Sequence, residues 1–142
     1  MSIRQFFVSY LSTALIFLVL DAIWLTVMAD RLYRPALGSI MLERFAPAPA
    51  VIFYVIYMVG VVVFAVAPSL VTGRWTTALA LGALLGLMAY ATYDLTNQAT
   101  LKNWSWTVTI ADLCWGTFVT AISAAVGSKI TSSLIGNVVA RS

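Results

Sequence analysis

Apolar residues fall into four runs, at residues 6–28, 50–67, 76–101 and 106–126, separated by short polar stretches. A helix crossing a bilayer needs about 20 apolar residues, so the pattern predicts an all-α integral membrane four-helix bundle, with residues 1–142 forming a single transmembrane domain. Pro47 and Pro49 suit the first turn of the second helix, where no intrahelical N–H is needed. That run stops at Pro68, and residues 69–75 turn the chain through Gly73 and Arg74. Residues 102–105 turn it again. Trp75, Trp104 and Trp106, at expected span ends, fit an interfacial aromatic belt.

Two segments break the simple pattern. Residues 29–46 carry Asp30, Arg31, Arg34, Glu43 and Arg44, too polar to span. Their apolar members Leu37, Ile40, Met41 and Phe45 recur at helical spacing, which suggests a short interfacial helix between the first and second spans. The tail from Gly127 places Ile130, Leu134, Ile135, Val138 and Val139 at helical spacing but is too short to cross. Arg4 before an apolar run imitates a secretory signal, yet Asp21 and Trp24 stand where a cleavage region should be small and neutral, so the first helix is expected to stay.

Composition agrees with membrane residence. Only 9% of the 142 residues are charged and 62% are hydrophobic, with a mean hydropathy of +0.98, whereas soluble domains carry about 25% charged residues. With no His and one Cys, Cys114, the chain offers no His ligand for haem or catalytic zinc, no intrachain disulfide and no Cys cluster. No metal site and no cofactor can be assigned. Cys114 has no base nearby in the sequence and reads as a small buried residue. The net charge of +3 comes from scattered basic residues, so membrane lipids rather than nucleic acid are the expected partners. Lys and Arg count four on each side of the membrane, with Arg4, Arg74, Lys129 and Arg141 against Arg31, Arg34, Arg44 and Lys102. The α-amino group tips the reading towards cytoplasmic termini, and antiparallel copies stay open.

Candidate chemistry lies inside the runs. Asp21, Asp94 and Asp112 fall in expected spans, where an Asp costs about 2.5–3.5 kcal/mol near the helix centre. Counting at 1.5 Å per residue puts each about 9–10 Å below the same surface. Tyr54 and Tyr57 enter from that side on the second helix. Gly82, Gly86, Tyr90, Asp94 and Asn97 share one face of the third helix, with Tyr93 beside Asp94. Trp24 shares a face with Asp21, and Trp115 with Asp112, in two copies of a D-x-x-W-x-T pattern. The expected proton- or substrate-binding set is therefore Asp21, Trp24, Tyr54, Tyr57, Tyr90, Tyr93, Asp94, Asn97, Asp112 and Trp115. Three carboxyl groups in a low-dielectric interior cannot all stay charged, so one should hold a proton or face a cation. The alternative is a polar network that merely ties helices together. Glycines 82 and 86 would let a neighbouring helix approach, which supports a homodimer or another membrane partner.

The segments at residues 17–25, 53–68, 82–104 and 112–117, above all Tyr93-Asp94-Leu95-Thr96-Asn97-x-Ala99-Thr100-x-x-x-Trp104, resemble a family of small bacterial four-helix membrane proteins catalogued as a domain of unknown function. The resemblance implies four spans and a bacterial inner membrane, and it supplies no activity and no catalytic residue. Three functions remain. The first is binding or transport of a small molecule or lipid, coupled to a proton or cation at the carboxylates. The second is a lipid- or quinone-modifying enzyme using Asp acid–base chemistry. The third is a structural accessory subunit.

Overall fold

The computed structural model describes residues 1–138. Four helices account for most of the chain: α1 (Ile3–Leu37), α2 (Pro47–Thr72), α3 (Trp75–Thr100) and α4 (Trp106–Ile135). All four are long and apolar enough to cross a membrane, and there is no strand among the described residues. Of the residues that entered the tail pattern and the charge count, Val139 and Arg141 lie outside the described residues.

The start of α1 follows from its sequence. Ser2 accepts from the Gln5 backbone N–H at 3.2 Å while the Gln5 side chain accepts from the Ser2 N–H at 2.8 Å, a reciprocal cap that satisfies two otherwise orphaned donors. Gly73 ends α2 in the left-handed conformation at φ 67°, which glycine adopts without a Cβ clash. Asn103 supplies the corresponding positive φ of 62° between α3 and α4.

Three helices run past the ends expected for them. Beyond Met28 the chain makes a π turn, Ala29–Tyr33, in which the Arg34 N–H bonds to Ala29 O five residues back, and α1 then continues to Leu37. The polar segment is thus an extension of α1 and not a separate interfacial helix. Ile40, Met41 and Phe45 are exposed in the non-helical stretch 38–46, and Leu37 alone of that apolar set is buried, against Trp104 and Val108. The second overrun is at Pro68, which lies inside α2. A proline in a helix lacks an N–H and crowds the carbonyl four residues earlier. The π turn Val62–Val66, closed by the Ala67 N–H on Val62 O, loosens the helix just before the ring, so the chain carries on to Thr72. Of the tail pattern, Ile130, Leu134 and Ile135 likewise prove to belong to the last turns of α4, and Val138 lies beyond its end.

Packing centres on α4, which touches the other three helices. Its tightest neighbour is α3. A Cβ added at Gly86 would lie 2.2 Å from Gly116 O, and one at Gly82 would lie 3.0 Å from the Ala124 Cβ. The glycine strip expected to receive a second copy is therefore taken up by α4 of the same chain, because backbone contact this close leaves no room for another helix. Trp104 is also relocated: it is buried at the end of the bundle rather than exposed in a belt, with its indole N–H on Thr109 Oγ1 at 3.0 Å, whereas Trp75 and Trp106 are exposed. Cys114 is exposed, since two residues after the inward-facing Asp112 it lies on the far side of α4.

The two ends of the bundle are built differently. At the end holding the start of α1 and the close of α4, small polar groups interlock: Ser9 Oγ with Thr131 Oγ1 at 2.9 Å and Ser69 Oγ with Ser128 Oγ at 2.7 Å. The Gln5 side chain donates to Gly136 O at 3.0 Å, and Gly127 lies directly against Thr13. In the middle, Phe17, Met58, Val61, Leu70 and Val119 form an apolar core. At the opposite end α2 stands off. It packs on α3 chiefly through Val62–Thr72, so its first half and the second half of α3 leave a wedge between them.

Candidate functional site

The wedge holds a cavity of about 660 Å³, lined by Asp21, Trp24 and Leu25 of α1, Tyr33 of its extension, Phe53 and Tyr54 of α2, Ala89, Tyr90, Thr92, Tyr93 and Thr96 of α3, and Asp112 and Trp115 of α4. All four helices contribute, and more than half of the lining residues are aromatic. Phe53 and Tyr93 are 45% and 59% exposed, so the cavity opens sideways between α2 and α3.

The two D-x-x-W-x-T copies meet here. Helices α1 and α4 run antiparallel, and a local two-fold between antiparallel copies sets each Asp opposite the other copy's Trp. The indoles of Trp24 and Trp115 stack at 4.5 Å with 7° between planes. Trp115 Nε1 donates to Asp21 Oδ1 at 3.0 Å. On the other side Trp24 Nε1 donates to the Tyr33 hydroxyl at 2.8 Å, which in turn donates to Asp112 Oδ1 at 2.5 Å. The Thr members behave alike, Thr26 donating to Ala22 O and Thr117 to Leu113 O, each four residues back. Tyr54 completes the set by donating to Asp21 Oδ2 at 2.5 Å. Both oxygens of Asp21 therefore accept from aromatic donors, one on α2 and one on α4.

Asp94 is placed differently. It is fully buried behind Asp112, outside the cavity lining, and neither of its oxygens receives an N–H or hydroxyl donor. Its carboxyl lies near enough to Asp112 for the two groups to interact electrostatically, with no hydrogen bond between them. No ion pair reaches Asp21, Asp94 or Asp112 among the described residues; the one present joins Arg34 and Asp30, both exposed.

Of the other residues singled out in the sequence, Tyr90 and Tyr93 line the cavity, and the Tyr90 ring lies against Gly116, where a Cβ would come within 2.2 Å of it. Tyr57 lies below the cavity and pairs with Thr120 Oγ1 at 2.8 Å. Asn97 is half-buried and does not line it. Three features of the site escaped the sequence: Phe53, the Thr92 and Thr96 hydroxyls, and above all Tyr33. Nine α-helical steps from Trp24 would rotate Tyr33 by about 180°, onto the opposite face. The π turn adds one residue to the winding and brings the rotation back to about 80°. Among the described residues no group of three His, Cys, Asp or Glu could hold a metal ion.

A model of the family described as "Predicted membrane protein (DUF2177)" matches residues 6–129, a span that includes every residue of the cavity. No curated protein and no solved structure matches the chain. With the family model covering most of its length and four helices apolar enough to cross a bilayer, the chain belongs to this family of membrane proteins of unknown function.

Proposed function

We propose that the protein binds, and in its membrane carries, an apolar or amphiphilic molecule that enters sideways from the bilayer between α2 and α3, with the Asp94–Asp112 pair exchanging a proton as the site fills. The observation that carries this is the aromatic cavity of about 660 Å³, within the range of about 300–1,000 Å³ typical of small-molecule sites. A bundle that needed its acids only as ties between helices would close on them, as the opposite end closes on its hydroxyls. Adjacent carboxyl groups in a low-dielectric interior cannot both ionise, so the pair holds one proton. Anything that moves Tyr33 or Asp112 alters where that proton rests, which couples occupancy to protonation.

The test uses purified protein in detergent and N-phenylnaphthylamine, an uncharged apolar dye. Saturable binding with quenching of Trp24 and Trp115 is expected, and Ala89→Trp, which fills the cavity from α3, should weaken it by about tenfold or more. No saturable binding to the folded protein would overturn the binding role. In proteoliposomes, Asp94→Asn keeps the size of the side chain without a titrating proton. It should abolish proton-coupled movement while insertion is unchanged, and undiminished coupling would remove Asp94 from the mechanism.

A further inference from the structure

We infer that the ligand of this cavity is a hydrophobic monocation, an alkylated ammonium or comparable organic cation on an apolar body, held between Asp21, Asp112 and the aromatic side chains of Trp24, Tyr54, Tyr90 and Trp115. This rests on the binding role proposed above and adds the charge and chemistry of the ligand.

The first ground is an imbalance of charge. Two carboxyl groups line the cavity and a third stands behind Asp112, yet no Lys or Arg lines it and no ion pair reaches any of the three among the described residues. One shared proton on Asp94 and Asp112 still leaves negative charge in an apolar surround, which is costly unless a cation or further donors compensate. The second ground is the wall. Aromatic faces attract cations, most strongly where water is excluded, and alkylated ammonium groups are their characteristic guests. The third is the direction of the hydrogen bonds. The Tyr54 and Tyr33 hydroxyls and the Trp24 and Trp115 indoles already point at Asp21, at Asp112 or at each other. Those four donors are engaged and do not turn towards an anionic head.

The same facts exclude a small hard cation. Magnesium and calcium ask for about six or more oxygen ligands, and no group of three acidic side chains among the described residues could hold a metal. A cavity of about 660 Å³ is also far larger than one ion needs. An organic cation fills it, with its head against the carboxylates and its apolar body towards the exposed Phe53 and Tyr93 at the opening. That chemistry has two sources: a free hydrophobic cation, or the choline or ethanolamine headgroup of a lipid.

The experiment compares phenylbutyl-trimethylammonium with its uncharged tert-butyl isostere on the full-length protein in a non-ionic detergent, by tryptophan quenching and calorimetry. The cation should bind about tenfold tighter than the isostere. Asp21→Asn should erase most of that preference, and Trp24→Leu should weaken the cation more than the isostere. Equal affinity of cation and isostere for the wild-type protein would overturn the inference while leaving the apolar binding role intact. Binding of neither would overturn both. Since the wild-type comparison needs no variant, a misfolded mutant does not blunt it. Added phosphatidylcholine competing with the cation, where a glycosyl diacylglycerol does not, identifies a lipid headgroup as the source; no competition by either identifies a free cation. An anionic analogue binding as tightly as the cation would also overturn the inference.

Discussion

The two ends of the bundle use polar groups in opposite ways. At the closed end short hydroxyls reach one another across helix interfaces: Ser9 meets Thr131 and Ser69 meets Ser128. At the open end the polar groups are carboxyls and long aromatic donors that bridge a gap instead of removing it, as Tyr54 and Trp115 do around Asp21. Short side chains let backbones approach, so they lock helices together, while long ones hold walls apart at a set spacing. The difference teaches that polarity inside an apolar chain has two structural meanings, and that side-chain length separates them.

Inserting one side chain at each end is the strongest way to break this comparison. A Cβ at Gly127 would sit 2.0 Å from Thr13 Oγ1, in the closed end where nothing can yield to a larger group. Gly127→Leu should therefore destabilise by about 3 kcal/mol, read as a lower melting temperature in detergent. Gly127→Ala should be milder, and adding Thr13→Ala should recover most of its loss, because the Thr13 hydroxyl is buried without a partner and is the atom in the way. At the open end Gly116→Ala meets the Tyr90 ring, which has the cavity to move into. Here the expected cost is about 1 kcal/mol, with apolar-dye binding reduced more than stability. Equal stability losses for matched insertions at the two ends would erase the distinction.

Smaller effects sharpen it. Ser9→Ala removes a buried hydroxyl whose partner, Thr131, keeps its bond to Gly127 O at 2.9 Å, so the loss should be near the average of about 0.6 kcal/mol for hydrogen bonds between membrane helices. Tyr54→Phe leaves Asp21 its Trp115 donor and should change the melting temperature still less, while altering ligand affinity severalfold. A Tyr54→Phe protein that binds as wild type but melts much earlier would show that the open end, too, is only a tie.

Much of this was legible in the residues. Four apolar runs wide enough to span could become only helices, since a backbone in lipid must satisfy its own hydrogen bonds. The level shared by Asp21 and Asp112, and the paired Trp positions, followed from counting along a helix. The closed end was overlooked because Ser9, Thr13, Ser123 and Ser128 do not break an apolar run: a hydroxyl can bond back to its own helix, so it leaves no gap in the pattern. Gly82 and Gly86 showed that some helix comes close, but glycine carries no mark of whether that helix is its own chain's. Trp104 looked interfacial because burial depends on where Leu37 and Val108 arrive, which no local pattern states. The π turn before Pro68 had a visible cause; the one after Met28 had none, and with it Tyr33 was lost from the site.

That turn after Met28 places part of the cavity wall under the control of chain length rather than side-chain identity. Tyr33 reaches Asp112 because the helix is wound with one residue more than its pitch requires. Removing one residue from the turn between Met28 and Tyr33 would only restore eight α-helical steps from Trp24, about 80°, and keep the phenol where it is. Adding one residue within Ala29–Tyr33, with the chemistry of every wall residue unchanged, would instead swing it about 100° away. Trp24 and Asp112 would then each lose a partner at once. A one-residue insertion could retune or silence this site without altering one residue that lines it, and relatives that carry an added residue there should differ in what they hold.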